Sequence, residues 1–403
     1  MGKTLRRPIV RFHRGSPPRP APQQHAAAPA PAPDAPSGWA SVDGAFEAED
    51  VYDLAFRRTP AHGRLVEVTA GKGRSSCYLA ERARGRDLKV SVVHTSPETA
   101  DEFSANVQRV GVPPIVDLQM CPTAAEQSVK FDDGSLSFVF LDTQKAVDCE
   151  IAAWWPKLER GGLLSGVGYE AARAQVDAFI AAAPSERALR VHKGSWMIYR
   201  PVVVDATFCI GSAARTDRRA AVEAQFRSAG IAERVEFFEA VDGKSLAHPN
   251  VISNNQAGCL ASHLAVIAEA RRRGNKNVLI FEDDVQLTPD FEAKFHAALS
   301  RCPSTFDVIY VGAICVGKWG HYLHGFDDLL ALAGRVNGTH AYVVNTDIEP
   351  RLRTDLEPMR TWYDEYLLKT IQPERRCYVC VPYLALQVPG VTRTEDFSQQ
   401  VWR

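Results

Sequence analysis

Long apolar runs, a surplus of charge of either sign, and a paired set of cysteines are all missing from this chain of 403 residues. No apolar run approaches the roughly 20 residues a helix needs to cross a bilayer. With 47 basic and 48 acidic residues the formal net charge is −1. That balance argues against a nucleic-acid binder working through bulk electrostatics, while a local basic patch stays open. The nine cysteines (77, 121, 149, 209, 259, 302, 315, 377 and 380) are scattered and odd in number. They make no disulfide framework and fit a reducing compartment. Cys377 and Cys380 form one CxxC without a second ligand pair, in a context that reads as a strand. No apolar h-region follows Met1, position 6 is Arg6 where a myristoylation signal wants Ser or Thr, and Val401-Trp402-Arg403 is no retention signal. The expectation is a cytoplasmic protein with no transmembrane segment and no nucleic-acid partner.

What is present divides into three. Residues 1–45 hold nine of the 25 prolines, and the first 25 residues hold six basic side chains and no acid. Such a stretch buries too little apolar surface to offset its ordering entropy and reads as a disordered Pro/Ala-rich basic tail. A solvated tail is the plain reading, with weak contact to an anionic partner or membrane surface as the alternative. From Phe46 to about Pro201, strand-like and helix-like segments alternate: strands at 64–68, 88–93, 115–118, 136–141 and 163–165, helices at 75–84, 97–110, 151–158 and 173–183, and a closing hairpin of 189–192 with 196–199. Alternation of this kind means a parallel sheet with helices on both faces. From Val202 to the end the pattern repeats: strands at 202–210, 236–240, 277–281, 306–311 and 339–344, and helices at 217–229 and 259–273. A further helix is expected from Thr288 as N-cap and Pro289 as first residue. The expected class is α/β with two doubly wound domains, 46–201 and 202–403.

Glu282, Asp283 and Asp284 follow the apolar strand 277–281. Three adjacent carboxylates repel, and a divalent cation removes that cost. Oxygen ligands suit Mg²⁺ or Mn²⁺, and strand ends are where open α/β sheets bind ligands. A solvated acidic turn is the competing reading, and the tripeptide alone does not choose.

The surroundings add to it. Residues 209–219 with Arg215, Arg218 and Arg219, the Ala240-Val241-Asp242-Gly243 segment, Gly258-Cys259 through Ser262-His263, the strand 278–285, and segments 306–312, 338–344, 362–366 and 382–387 come in a set order. In that order they resemble glycosyltransferase family 25, the lipopolysaccharide and procollagen galactosyltransferase type, over about 205–396. Gly211-Ser212 departs from the family's Asn-Leu at the first turn. The resemblance implies a GT-A type fold and an inverting transfer of a hexose, galactose by preference, from a UDP-sugar to a hydroxyl on a glycan or protein, with Mn²⁺ (or Mg²⁺) as cofactor. Asp284 is then the first choice for ligating the metal, with Glu282 and Asp283 on metal or ribose. Asp364 is the expected base on the acceptor hydroxyl and Glu365 its alternate, although either acid would also suit a helix start. Arg215, Arg218 and Arg219 are candidates for the diphosphate or the uracil side, a solvated helix face being the alternative for at least one. His263 and His340 read as core histidines and are assigned no metal.

Residues 65–201 resemble class I S-adenosylmethionine (SAM)-dependent methyltransferases of the small O-methyltransferase type. The resemblance rests on Val66 to Gly73, on 138–142, and on Trp154-Trp155-Pro156 through Gly161-Gly162. It implies a SAM site at Glu67, Gly71, Gly73, His94 and Asp142. The departures are Thr69 for the first loop glycine, His94 for the ribose-binding acid, Thr143-Gln144-Lys145 for Gly-Asp-His, and Val167-Gly168-Tyr169 for His-Asp-Tyr. They favour a non-catalytic scaffold or binding module. A SAM-dependent O-methyltransferase acting on a sugar, and a binding protein with both sites degenerate, are the alternative functions.

Overall fold

The computed structural model describes residues 38–69, 71–111, 116–120, 124–142, 147–249, 251–315, 323–325, 329–374 and 376–387. The expected tail therefore lies outside the described residues up to position 37, as do Thr143–Lys145. Residues 38–45, expected as tail, are instead built into the fold. Gly38–Ser41 forms a 3₁₀ turn, the Trp39 amide donates to Glu81 Oε1 at 2.8 Å, and Val42 is buried. Trp39 supplies the apolar area that the Ala/Pro stretch lacks: it packs edge-on to Phe46 and Tyr78.

The first sheet takes strands from β1 (Arg64–Thr69), β2 (Lys89–His94), β3 (Val116–Met120), β4 (Leu136–Leu141), β5 (Leu158–Gly166), β6 (Ala188–His192) and β7 (Ser195–Tyr199). Its order is β3-β2-β1-β4-β5-β7-β6. β1 pairs in parallel with both β2 and β4, so the chain reverses its winding at β1/β4 as a doubly wound sheet does. β7 enters antiparallel and closes the hairpin with β6. Helices α1 (Glu49–Arg58), α2 (Arg74–Ala83), α3 (Ala100–Val110), α4 (Ala124–Gln127), α5 (Val147–Trp154) and α6 (Tyr169–Ala181) accompany it. Leu65, Val66 and Val68 on β1 are fully buried, which is why that strand reads as a continuous apolar run rather than an alternation.

The second sheet contains β8 (Ala206–Gly211), β9 (Val235–Glu239), β10 (Asn277–Glu282), β12 (Val308–Cys315), β13 (Leu323–Gly325), β14 (Leu330–Ala333), β15 (Val336–Asn345) and β16 (Cys377–Cys380). Its order is β13-β14-β16-β12-β15-β10-β8-β9. β11 (Val285–Leu287) and β17 (Ala385–Gln387) make a separate two-stranded ribbon. Around them lie α7 (Thr216–Ser228), α8 (Asn254–Arg272), α9 (Phe291–Ser300), α10 (Glu349–Leu356) and α11 (Tyr363–Tyr366). The expectation of a doubly wound second unit needs correction. β8, β9 and β10 are parallel, but β15 runs antiparallel to both β10 and β12. A strand buried on both faces, as 340–344 is, carries no periodicity that reveals its direction.

Two helix starts also differ from expectation. α9 begins at Phe291 after Asp290, which holds a left-handed φ of 58°. Thr288 does not cap it; its amide and hydroxyl both donate to the Leu384 carbonyl and anchor the β11/β17 ribbon. α8 begins at Asn254, five residues before the expected Cys259. Ser253 and Gln256 form a reciprocal capping box there.

The two sheets are joined by more than the connecting chain. Arg58, at the end of α1 and buried, donates to the carbonyls of Gly161, Arg301 and Cys302. Gly161 has a φ of +85°, and a Cβ there would lie 2.3 Å from the Ser304 amide nitrogen, so the two units meet too closely for any side chain. Among the described residues no helix is long and apolar enough to cross a membrane.

Candidate functional site

β8 and β10 run in parallel register, with Ile210 beside Glu282, so both strands end at one edge of the sheet. The first turn of α7 and the N-terminal half of α8 face that edge. Together they line a cleft of about 500 Å³ that includes Gly211, Arg215, Arg218, Cys259, His263, Glu282 and Asp283. A Cβ at Gly211 would sit 3.0 Å from Asp283 Cβ, which gives a reason for glycine in that turn.

The three carboxylates point to different partners. Glu282 Oε1 accepts from Thr339 Oγ1 at 2.7 Å and lies 3.4 Å from His263 Nε2. Burial alone would raise its pKa, but His263, Thr339 and His340 outweigh it and hold the carboxyl below its usual range. Asp283 Oδ1 accepts from Arg218 Nη1 at 2.8 Å. Asp284 is 7% exposed; Gln387 Nε2 reaches its Oδ2 at 3.3 Å, and its Oδ1 is buried without a hydrogen-bond partner among the described residues. Burial, and then the charge of Glu282, push its pKa up to about 7, with Arg218 and Gln387 pulling the other way. A carboxylate in that state is ready to accept a cation, because a bound ion replaces the proton and satisfies the orphaned oxygen. Carboxylate oxygen is the donor a hard divalent ion takes, but the three carboxylates are not gathered into one group of ligand atoms; among the described residues the group that is gathered is Cys259, His263 and Glu282.

The arginines separate. Arg218 lies on the acidic strand end, 4.0 Å from Asp284 as well. Arg215 lines the cleft while bonded to Asp217. Arg219 does not line it: its guanidinium stacks 3.4 Å from the Phe237 ring centroid and pairs with Glu223. The two candidate bases separate too. Glu365 is engaged by Lys369 at 2.5 Å and by Thr361 at 3.1 Å, and Lys369 holds its carboxyl below the usual range. Asp364 is half-buried at the start of α11 and accepts the Glu365 amide. Burial is the main cause of its raised pKa, and the nearby Glu282 charge adds to it.

Of the two histidines, His340 is a core residue whose Nε2 faces the Ala385 carbonyl at 3.4 Å, and burial lowers its pKa. His263 is equally buried but presents its ring to the cleft beside Cys259 and Glu282. The three ligand atoms of that group lie within 4.8 Å of one another. The sequence did carry a signal for this grouping, the i, i+4 spacing of Cys259 and His263. It was hidden because a helix starting at Cys259 would have left that residue on a frayed end. Thr339 and Gln387 come from strands far along the chain and left no signal at all.

At the end of β1 in the first sheet, Glu67 is fully buried and accepts from Tyr52 at 2.9 Å, Ser76 at 2.5 Å and Ser75. Burial raises its pKa against these three hydroxyls. It ties the first turn of α2 to α1. His94 turns inward: its Nε2 meets the Gly71 carbonyl at 3.1 Å and its ring packs edge-on against Phe103. A Cβ on Gly73, whose φ is +94°, would come 3.1 Å from the same Phe103 ring. Thr69 Oγ1 donates to Asp142 at 3.3 Å and accepts the Gly71 amide at 3.0 Å, and burial raises the Asp142 pKa. The five expected SAM residues thus converge on one strand edge, where the Thr69 and Phe103 side chains pack among them.

Residues 205–321 match the model of glycosyltransferase family 25 (LPS biosynthesis protein). Two curated relatives are each described as a glycosyltransferase 25 family member. The one from Drosophila pseudoobscura pseudoobscura is 30% identical over 132 residues, 28% of this chain and 21% of its own. The one from Drosophila melanogaster is 30% identical over 130 residues, 27% of this chain and 21% of its own. The chain thus spans about a fifth of the length of the curated relatives it matches. Solved structures that are similar include a protein of Corynebacterium glutamicum (15% identity, 41% of this chain, 85% of that one, TM-score 0.35). They also include a methyltransferase of Geobacter sulfurreducens (18%, 40%, 80%, TM-score 0.32) and a SAM-dependent O-methyltransferase of Thermotoga maritima (18%, 39%, 65%, TM-score 0.30). The winding of the first sheet rests on its own strand order, not on these alignments.

Proposed function

We propose that this chain, whose residues 205–321 match glycosyltransferase family 25, transfers a hexose from a UDP-sugar to a hydroxyl acceptor in the cleft where β8 and β10 end. Galactose is the first choice of sugar and a glycan, such as a lipopolysaccharide, or a protein the acceptor. The observation that carries the reading is Asp284: a buried carboxylate with one oxygen lacking a partner, raised towards neutrality beside two further acids. In a GT-A type unit spanning 202–403, Asp284 would hold Mn²⁺ (or Mg²⁺), with Asp283 and Glu282 beside it. When bound, the ion supplies Lewis-acid stabilisation of the charge that builds on the departing UDP. Arg218 stands on Asp283 and Arg215 on the cleft wall, so both guanidinium groups are within the site that receives a diphosphate. Cation and anion would then share the pocket, and Arg218 would exchange Asp283 for phosphate oxygen.

Inversion in one displacement needs a base on the acceptor hydroxyl, on the side opposite the leaving group. Asp364 fits better than Glu365, because burial and the Glu282 charge raise its pKa against the pull of His263 and make it the stronger base. Glu365 serves Lys369 instead. Melting the protein with UDP and Mn²⁺, together and separately, tests the reading. UDP should raise the melting temperature only when Mn²⁺ is present, and Asp284→Ala should lose both that shift and sugar transfer. Full transfer by Asp284→Ala refutes it.

For the first unit, 46–201, we propose a non-catalytic scaffold. Glu67 is saturated by three hydroxyls, and His94 and Phe103 close around Gly71 and Gly73 where a SAM methionine end would approach. Arg58 then couples this unit to the α9 end of its neighbour.

A further inference from the structure

The sugar transfer proposed above uses neither the Cys259 thiol nor the His263 imidazole, yet both lie within its cleft. They stand one helical turn apart on α8, and β10 brings Glu282 to them, so that a sulfur, a nitrogen and an oxygen lie within 4.8 Å of one another.

The hydrogen-bond network specifies how His263 is presented. Tyr342 Oη lies 2.9 Å from His263 Nδ1 and 3.2 Å from the Tyr363 hydroxyl, so one ring nitrogen is held by a buried hydroxyl pair. The other, Nε2, faces Glu282 Oε1 at 3.4 Å, and that oxygen also accepts a proton from Thr339. Nε2, the carboxylate oxygen and the Cys259 sulfur thus stand together as one group of three donor types. The ring cannot turn away: it is 1% exposed and stacks on Tyr363 at 4.7 Å with an interplanar angle of 11°. A partner on one ring nitrogen that fixes the tautomer and aims the other is how ligating histidines are held. Cys259 is exposed on the cleft side, which leaves the group open to an entering ion and to a fourth ligand.

We infer that Cys259, His263 and Glu282 form a binding site for a borderline-soft divalent cation such as Zn²⁺. Sulfur, nitrogen and one carboxylate oxygen are the donor set for that ion, three protein ligands with an open position. Asp283 and Asp284, all oxygen, suit a harder ion. The end of β10 therefore carries two cation preferences, with Glu282 next to both in the chain. The soft site stands on α8 and β10 whatever the cleft transfers, so it does not depend on the sugar-transfer reading.

The test uses the full chain after chelation, with Co²⁺ as a coloured stand-in for Zn²⁺. One equivalent of Co²⁺ should give a thiolate-to-cobalt charge-transfer band that Zn²⁺ abolishes by displacement. Cys259→Ala, a change at an exposed position, should lose the band and weaken Zn²⁺ binding about 100-fold or more. It should keep its circular dichroism spectrum and its Mn²⁺-dependent UDP shift. Asp284→Asn should keep the thiolate band and lose the UDP shift. The inference is overturned if the wild-type protein gives no thiolate band, which would make the His263–Glu282 contact an imidazolium–carboxylate pair. It is also overturned if Cys259→Ala retains the band, or if Asp284→Asn alone removes it. Loss of the UDP shift in the wild type, with the band intact, would count against the sugar-transfer reading alone.

Discussion

Asp284→Asn should stabilise the metal-free protein while disabling it. The side chain goes from an ordinary carboxyl pKa of 3.8 to about 7 on folding, through burial first and the Glu282 charge second. A carboxyl raised by folding contributes its full stability below the unfolded pKa and loses it as pH climbs through the folded one. The wild-type protein, freed of divalent ions, should therefore lose stability between about pH 4 and pH 7 at this position and stay level above. A shift of roughly three units at 1.36 kcal/mol each sets a ceiling of about 4 kcal/mol. Water entering the cleft reduces that, and a gain of about 2–4 kcal/mol is expected for the asparagine variant at pH 8. The amide keeps an oxygen for Gln387 and adds a donor beside Glu282. Urea unfolding with EDTA at pH 8 and at pH 4 measures it: the variant should be more stable at pH 8, and the gap should close at pH 4. Excess Mn²⁺ should reverse the ranking at pH 8, since only the wild type gains binding free energy from the ion. Equal or lower stability of the variant at pH 8 without metal would refute the reasoning about this carboxylate.

Three further outcomes are expected. Asp364→Asn should lower turnover by about 100-fold or more, the range a general base contributes, with UDP binding unchanged, whereas Glu365→Gln should leave turnover within a few-fold; steady-state kinetics on both variants distinguish them, and equal losses would remove Asp364 from the role. Arg58→Met should destabilise the chain by about 3 kcal/mol or more, because the carbonyls of Gly161, Arg301 and Cys302 lose a buried charged donor; a change under about 1 kcal/mol in urea unfolding would deny it the joining role. SAM at millimolar concentration should leave the melting temperature unmoved, and a clear upward shift would return the first unit to the methyltransferases.

Much of the architecture was present in local pattern. Apolar runs such as 136–141 and 278–281 marked strands because burial on both faces demands it, and Gly274 after three arginines marked the end of α8. The acidic triplet could be read as a candidate site because three carboxylates at a strand end are costly without a use. Local pattern is blind to what depends on a partner far along the chain. The direction of β15 is one case, since an apolar strand looks the same read either way. The division between Asp364 and Glu365 is another: a lysine four residues on engages one, while burial near Glu282, more than 80 positions earlier, raises the other. His263 looked like a core histidine because its burial is what a sequence can suggest. Its aim is set by Tyr342 and Tyr363, which only the packed sheet brings to it. Sequence determined which segments became strands and helices and which residues were chemically able to serve. The tertiary structure decided which of them share a cleft, because side-chain charge and hydrogen bonding act over a few ångströms in space and take no account of distance along the chain.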